Sequence, residues 1–272
     1  MALPRTYLFV PGNRPERFAK ALASGADAVV LDLEDAVAGE AKAFARNAIA
    51  DWSATAAAED RQRVAVRIND AQHPGFADDL RLLRESGIGA VMLPKAEDAG
   101  PVGAVCAAAP GIRVLALVES ALGIARADTV AAAAGVERLV FGTLDFALDL
   151  DLDIGGDPEA LLYAAGRLTV ASRAAGLPSP VAGVTPQLDD QARLLADLVW
   201  SRRHGFGAKL CIHPRQIAAV HRALAPDSQA LDWARRVLAA EAASPGAARL
   251  DGQMIDRPVV LQARRLLHRA GG

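Results

Sequence analysis

Only two of the 272 residues are cysteine, aromatic side chains make up 4%, and 30 basic against 32 acidic groups leave a formal charge of −2. Each shortage excludes something. Cys106 and Cys211 lie far apart with none of the spacing of a metal site, and Cys211 falls in an apolar run where a buried, inert thiol is expected. That usage fits a reducing cytoplasm. A charge near zero provides no field to gather nucleic acid or an anionic membrane surface, so any anionic ligand must be met by a local basic patch. No apolar stretch approaches the length of a membrane span, and the opening Met1-Ala-Leu-Pro-Arg-Thr lacks a signal-peptide core. Walker loops, dinucleotide glycine fingerprints and fixed-period repeats are also missing. These absences predict a soluble cytoplasmic protein with neither nucleic acid nor membrane as partner.

What the chain does have is hydrophobic residues, at 52%, with Ala and Leu to cover helices and Val to build strands. Apolar runs without polar alternation recur at 7–10, 28–31, 64–66, 90–93, 114–118, 139–141, 181–184 and 208–212, as parallel strands buried on both faces require. Helical patterns separate them. Asn13-Arg-Pro-Glu16 supplies a cap-like Asn, a first-turn Pro and a Glu for a helix to about residue 25, and further helices are expected over 76–83, 121–134, 159–175 and 187–203. Eight βα units in a chain of this length predict an α/β protein with a (β/α)8 barrel fold over 1–226, since such barrels take roughly 250 residues. Beyond it, a helix from 226 to 242, a break at Ser244-Pro-Gly246 and a last helix ending near 269 form a C-terminal extension over 227–272. A barrel needs no such extension, so this one is expected to serve as a lid or an oligomer arm.

In a barrel of this kind the residues just after each strand form one rim, and that rim is the active site. Here it reads Pro11-Gly-Asn-Arg14, Glu34 and Asp35, Arg67-Ile-Asn69, Pro94-Lys95, Glu119-Ser120, Asp145, Thr185 and His213-Pro214. Glu119 and Asp145 follow adjacent strands, and two carboxylates that close must share a proton or a cation. With hard oxygen donors and no nearby cysteine, Mg2+ is the natural cation; the alternative is that Arg67 or Lys95 pairs with them. Arg67 offers a planar fork for a carboxylate or a developing enolate, or else holds Glu34 or Asp35 in place. Arg14, Arg17 and Lys20 lie at the start of the first helix, where they form either a phosphate site or a solvated surface. Asp149-Leu-Asp-Leu-Asp153 imitates a calcium loop but lacks its glycine and final glutamate. Lys95 follows a strand as a Schiff-base lysine would, yet Pro94 and the acid pair favour an electrostatic role.

Taken together, Arg5-Thr-Tyr-Leu-Phe-Val-Pro-Gly12, Val30-Leu-Asp-Leu-Glu-Asp35, Val66-Arg-Ile-Asn69, Leu93-Pro-Lys95, Val118-Glu-Ser120, Phe141-Gly142 with Asp145, and Ile212-His-Pro214 resemble the citrate lyase beta-subunit-like family. That family, of the aldolase/citrate lyase superfamily, includes malyl-CoA and citramalyl-CoA lyases. The resemblance implies a TIM barrel, usually a homotrimer, in which Mg2+ is held by Glu119 and Asp145 and Arg67 contacts a 2-oxo acid. It further places Arg14, Arg17 and Lys20 near the phosphates of CoA. Gly252-Gln-Met-Ile-Asp256-Arg-Pro258 resembles the family segment that brings an acidic residue to a neighbouring subunit's site, which makes Asp256 that residue. Ala182 stands where many members carry Asp, a departure that bears on substrate specificity.

The reaction so implied is Mg2+-dependent cleavage or formation of a carbon–carbon bond between the α-carbon of an acyl thioester, on CoA or an acyl carrier protein, and a 2-oxo acid. Arg67, Glu34, Asp35 and Asp256 would serve as catalytic groups, with Glu119 also facing substrate. Two other readings fit the residues: a CoA-free class II aldolase for hydroxylated oxo acids, and a non-catalytic subunit that binds CoA or an acyl carrier.

Overall fold

A computed structural model of the chain describes residues 3–156, 158–225, 227–244 and 248–271. Its contacts separate Pro4–Ala223 from a second unit, Met1–Leu3 with Leu224–Gly272. The first unit is a closed barrel of eight strands in sequence order: β1 (Thr6–Pro11), β2 (Ala28–Asp32), β3 (Val64–Arg67), β4 (Ala90–Leu93), β5 (Arg113–Val118), β6 (Val136–Phe141), β7 (Val181–Ala182) and β8 (Ala208–Cys211). Every neighbouring pair is parallel, and β8 closes on β1 through Tyr7 opposite Leu210. The fold class expected from the apolar runs is therefore the one observed.

Strand alternation sends every second side chain inward. Tyr7, Ala28, Val30, Ala65, Ala90, Met92, Leu115, Leu117, Val140, Val181, Ala208 and Leu210 fill the barrel, with Phe9 and Val184 against them. Each buried Val, Leu or Met of this set contributes roughly 1.5–3 kcal/mol. The same parity runs on from Val30 to Asp32, from Ala65 to Arg67 and from Leu117 to Glu119, so these charged groups form the next inward layer above the apolar ones. At the opposite end, Arg138 is buried and donates from Nη1 to the Pro4 carbonyl (2.7 Å) and from Nε to the Ser179 carbonyl (2.6 Å).

Several elements differ from expectation. The seventh strand has two residues rather than four, and just past its end the Gly183 carbonyl accepts from Lys209 Nζ at 2.6 Å. Asn13 caps nothing: Arg14, pushed out of the helical region before Pro15, precedes a 3-10 turn at Pro15–Arg17 and a short helix, Phe18–Leu22. The stretch 121–134 forms two helices, Ala121–Ala125 and Ala127–Ala131, and the helix expected from 187 starts at Gln191, where the Asp190 side chain accepts from the Arg193 amide.

In the second unit, helices Ser228–Ala243 and Arg257–Gly271 pack through Ala234, Val237, Val260 and Ala263, together with Ala248 and Ile255. Between them, β9 (Arg249–Leu250) and β10 (Gln253–Met254) form a hairpin. Asp251 and Gly252, at φ 50° and 80°, make its turn, the two-residue Asp-Gly hairpin signal that the sequence displays. Pro226, Pro245 and Gly246, read as a helix start and a break, lie outside the described residues.

Candidate active site

The strand ends bring a dense set of charges to one mouth. Arg67 is 9% exposed and donates from Nε to Asp32 Oδ1 (2.8 Å) and from Nη2 to Asp32 Oδ2 (2.6 Å), a fork on a carboxylate. Its third nitrogen, Nη1, lies 2.7 Å from Glu34 Oε2 and 3.6 Å from Asp35 Oδ2. The ion pairs expected of Arg67 with Glu34 and Asp35 are present, and its directed hydrogen bonds go in addition to Asp32, which faces it in the β2–β3 register. Asp32 was legible as a strand residue of inward parity, and that signal went unused. The guanidinium also stands over the Phe9 ring, 5.0 Å from its centroid. Burial works against its charge, but the Asp32 bonds and the Asp32 and Glu34 charges outweigh it and raise its pKa.

Glu34 is nearly as deep. Its Oε2 is buried and makes no directed hydrogen bond, since the close Arg67 Nη1 is off the line of an N–H. Desolvation, followed by the neighbouring Asp35 and Asp32 charges, pushes its carboxyl up to about 7 against the pull of Arg67. Lys95 Nζ lies 3.8 Å from Glu34 and 3.4 Å from Asp70. Burial opposes the Lys95 charge, yet Asp70 and Glu34 raise its pKa, the opposite of what a Schiff-base amine needs.

Glu119 is 4% exposed at the end of β5. The salt bridge weighed for it does not form: among the described residues no Lys, Arg or His lies within ion-pair distance of Glu119 or of Asp145. What holds Glu119 is the backbone N–H of Lys95, 2.8 Å from Oε1, which Lys95 aims by adopting φ 47°. Desolvation first, then the Glu34 and Asp145 charges, pushes the Glu119 carboxyl up to about 8. Asp145 sits in the first turn of helix Thr143–Asp149, which begins directly after Gly142 at the end of β6. A Cβ on Gly142 would lie 2.5 Å from both Cβ and Oε2 of Glu119, so only glycine leaves room for this acid.

This donor set fits Mg2+. Two neighbouring carboxylates without a cation, one of them deep enough to retain a proton past neutrality, supply hard oxygens for a divalent ion. No group of three or more His, Cys, Asp or Glu converges on one point anywhere among the described residues, this mouth included, so the protein would supply the ion with only this pair. A two-carboxylate site leaves most of an octahedral shell to water and substrate oxygens, as Mg2+ prefers.

Other expected rim residues have different roles. Thr185 is fully buried and donates to Asp197 Oδ2 (2.6 Å), and His213 caps the 3-10 turn Pro214–Gln216 by accepting from the Arg215 amide. Arg14 and Arg17 are exposed and share Glu16, at 2.6 and 3.8 Å, while Lys20 stands exposed on the helix Phe18–Leu22. Ala182 pairs with Lys209 in the β7–β8 register, on the face opposite the interior residues Val181 and Ala208. Lys209 is itself buried, and desolvation lowers its pKa to about 8. Burial pushes the Cys211 thiol up to about 12, which makes it inert. Asp256, in the second unit, is exposed and accepts from the Val259 amide at the start of the last helix. Asp149 and Asp153 of the calcium-like loop accept from the Ala121 and Gly155 amides.

Comparison with known proteins identifies the family. Residues 5–214 match the sequence profile of the HpcH/HpaI aldolase/citrate lyase family. A citrate lyase subunit beta-like protein of Mycobacterium tuberculosis is 39% identical over 97% of this chain and 95% of its own length. The (3S)-malyl-CoA thioesterase of Cereibacter sphaeroides is 33% identical over 98% of this chain and 94% of its own. The crystal structure of CitE from Mycobacterium tuberculosis in complex with magnesium, acetoacetate and coenzyme A superposes with a TM-score of 0.88 at 38% identity, covering 100% of this chain and 99% of that one.

Proposed function

Because this chain belongs to the HpcH/HpaI aldolase/citrate lyase family, we propose that it is a Mg2+-dependent carbon–carbon lyase. Its substrate in this reading is a 3-hydroxyacyl thioester of the malyl-CoA, citramalyl-CoA or citryl type, cleaved to an acyl-CoA and a 2-oxo acid, or formed from them. The observation that carries it is the pair Glu119 and Asp145, adjacent acids at the barrel mouth with no Lys, Arg or His within ion-pair distance among the described residues. Bound by that pair, Mg2+ would supply a Lewis acid for the oxygens of the oxo acid.

The remaining chemistry belongs to the chain. Arg67, fixed in plane by Asp32, orients a carboxylate or enolate oxygen and offsets the charge that develops as the bond breaks. Glu34, poised at about 7, accepts the hydroxyl proton at Oε1 while its buried Oε2 stays against Arg67, and Asp35 adds charge beside Arg67. Asp256, from the C-terminal unit of a second copy in a homotrimer, exchanges a proton with the acyl methyl carbon. Arg14, Arg17 and Lys20 meet the phosphates of CoA, with Glu16 yielding two of the three.

The test is a panel of malyl-, citramalyl- and citryl-CoA incubated with the purified chain in Mg2+ or EDTA, with oxo acid and free CoA quantified separately. Oxo acid and acyl-CoA should appear in equal amounts, and only with Mg2+. Full activity after chelation would sink the metal assignment, and free CoA without oxo acid would make the chain a thioesterase like its relative. Cleavage of free hydroxylated oxo acids alone would make it a CoA-free aldolase.

A further inference from the structure

Behind the mouth lies a polar layer to which the reaction above assigns no part. Lys42 opens the helix Lys42–Thr55, and its Nζ donates to the carbonyls of Leu33 (2.7 Å) and Glu34 (2.9 Å) and to Asn69 Oδ1 (2.6 Å). An ammonium has three donors, and all are spent. Asn69 is 1% exposed and fixed in turn, since its backbone N–H and Nδ2 donate to Asp79 Oδ2 at 2.9 and 2.7 Å. The other oxygen of Asp79 accepts from Arg46 Nη1 at 3.1 Å. Arg46 lies one helical turn after Lys42, so one helix face brings both cations to this layer.

Lys42 therefore joins the loop after β2 to the loop after β3. The first carries Glu34, and the second begins directly after Arg67. Glu34 Oε2 lies 2.7 Å from Arg67 Nη1 without a directed hydrogen bond, so the alignment of this ion pair depends on the loop backbone, which Lys42 holds at the Leu33 and Glu34 carbonyls and Asp32 at the Glu34 amide. From this geometry we infer that Lys42 is a positioning residue for the lyase reaction. It fixes the Glu34 carboxylate against the Arg67 guanidinium through the β2 loop and touches neither substrate nor metal. The inference rests on the assignment of Arg67 and Glu34 to the reacting site.

Lys42→Met retains the stem and removes the three donors. Amide exchange over residues 33–37 should accelerate by at least about tenfold while β5 and β6 remain protected. In the same protein kcat should fall about ten- to hundredfold, as for a catalytic group moved off its mark, with KM and Mg2+ affinity near wild type. Lys42→Arg, which retains charge and donors, should recover part of both. Unchanged exchange at 33–37, or accelerated exchange with wild-type kcat, overturns the inference. So does loss of Mg2+ affinity together with the cooperative thermal transition in both variants, since that marks a support of the fold alone. If the wild-type chain cleaves no thioester, the lyase reading fails separately, and the exchange measurement alone decides whether Lys42 holds the Glu34 loop.

Discussion

Asp32 carries more of the site than its place inside a strand suggests. Removing it leaves a buried guanidinium with Glu34 and the more distant, exposed Asp35 on Nη1 alone, so Asp32→Ala should cost about 3 kcal/mol, measured by urea unfolding, and should lower kcat as Arg67 loses its plane. The acids on the other side of the mouth predict a pH response. In metal-free protein the Glu34 and Glu119 carboxyls, at about 7 and about 8, retain protons that the unfolded chain gives up near 4.5. The native state thus binds more protons than the unfolded one across that window, and stability must fall as pH rises from about 5 to about 8. Adding Mg2+ should reverse the loss, because the ion binds the ionised form and only the native state. Thermal scans in EDTA and in Mg2+ at both ends of the window check this; a metal-free Tm that rises with pH would contradict the burial of these groups.

At the level of elements, the junction of β6 with helix Thr143–Asp149 is the tightest fit of the mouth. Gly142→Ala puts a methyl into Glu119, and the acid must swing away. Overpacking of this kind costs about 1–3 kcal/mol, and Mg2+ affinity by titration calorimetry should drop at least about tenfold. Wild-type affinity in this variant would show that Glu119 does not hold the metal. The strands were legible because burial on both faces leaves an unbroken apolar run, and every run but 181–184 ends within a residue of the observed strand end. The contacts behind them were not. Lys42, Asn69 and Asp79 join two loops through a third element, and no local period records which loops meet. The Lys209 contact just past the end of β7 is equally non-local, since the pattern 181–184 does not record that a side chain of the next strand reaches the Gly183 carbonyl. The Asp251-Gly252 turn, by contrast, was local and readable.

For the whole molecule, the proposal requires more than one copy. If Asp256 serves a neighbouring subunit, Asp256→Asn and Glu119→Gln should each be inactive alone, and mixed trimers refolded together in equal amounts should regain activity. Random assembly completes a site when an intact barrel meets an intact arm, about one quarter of the wild-type rate. Light scattering measures the assembly, and no recovery in verified mixed trimers would place Asp256 outside the reaction.

The conformation of Lys95 separates two duties of one position. Its amide orients Glu119, whereas its side chain sets charge between Asp70 and Glu34. A backbone donor survives any substitution that tolerates φ 47°, and Asn or Gly does so readily. Over evolutionary time, lineages can therefore retune the electrical character of the entrance by drift at this codon while inheriting the metal acid's aim unchanged.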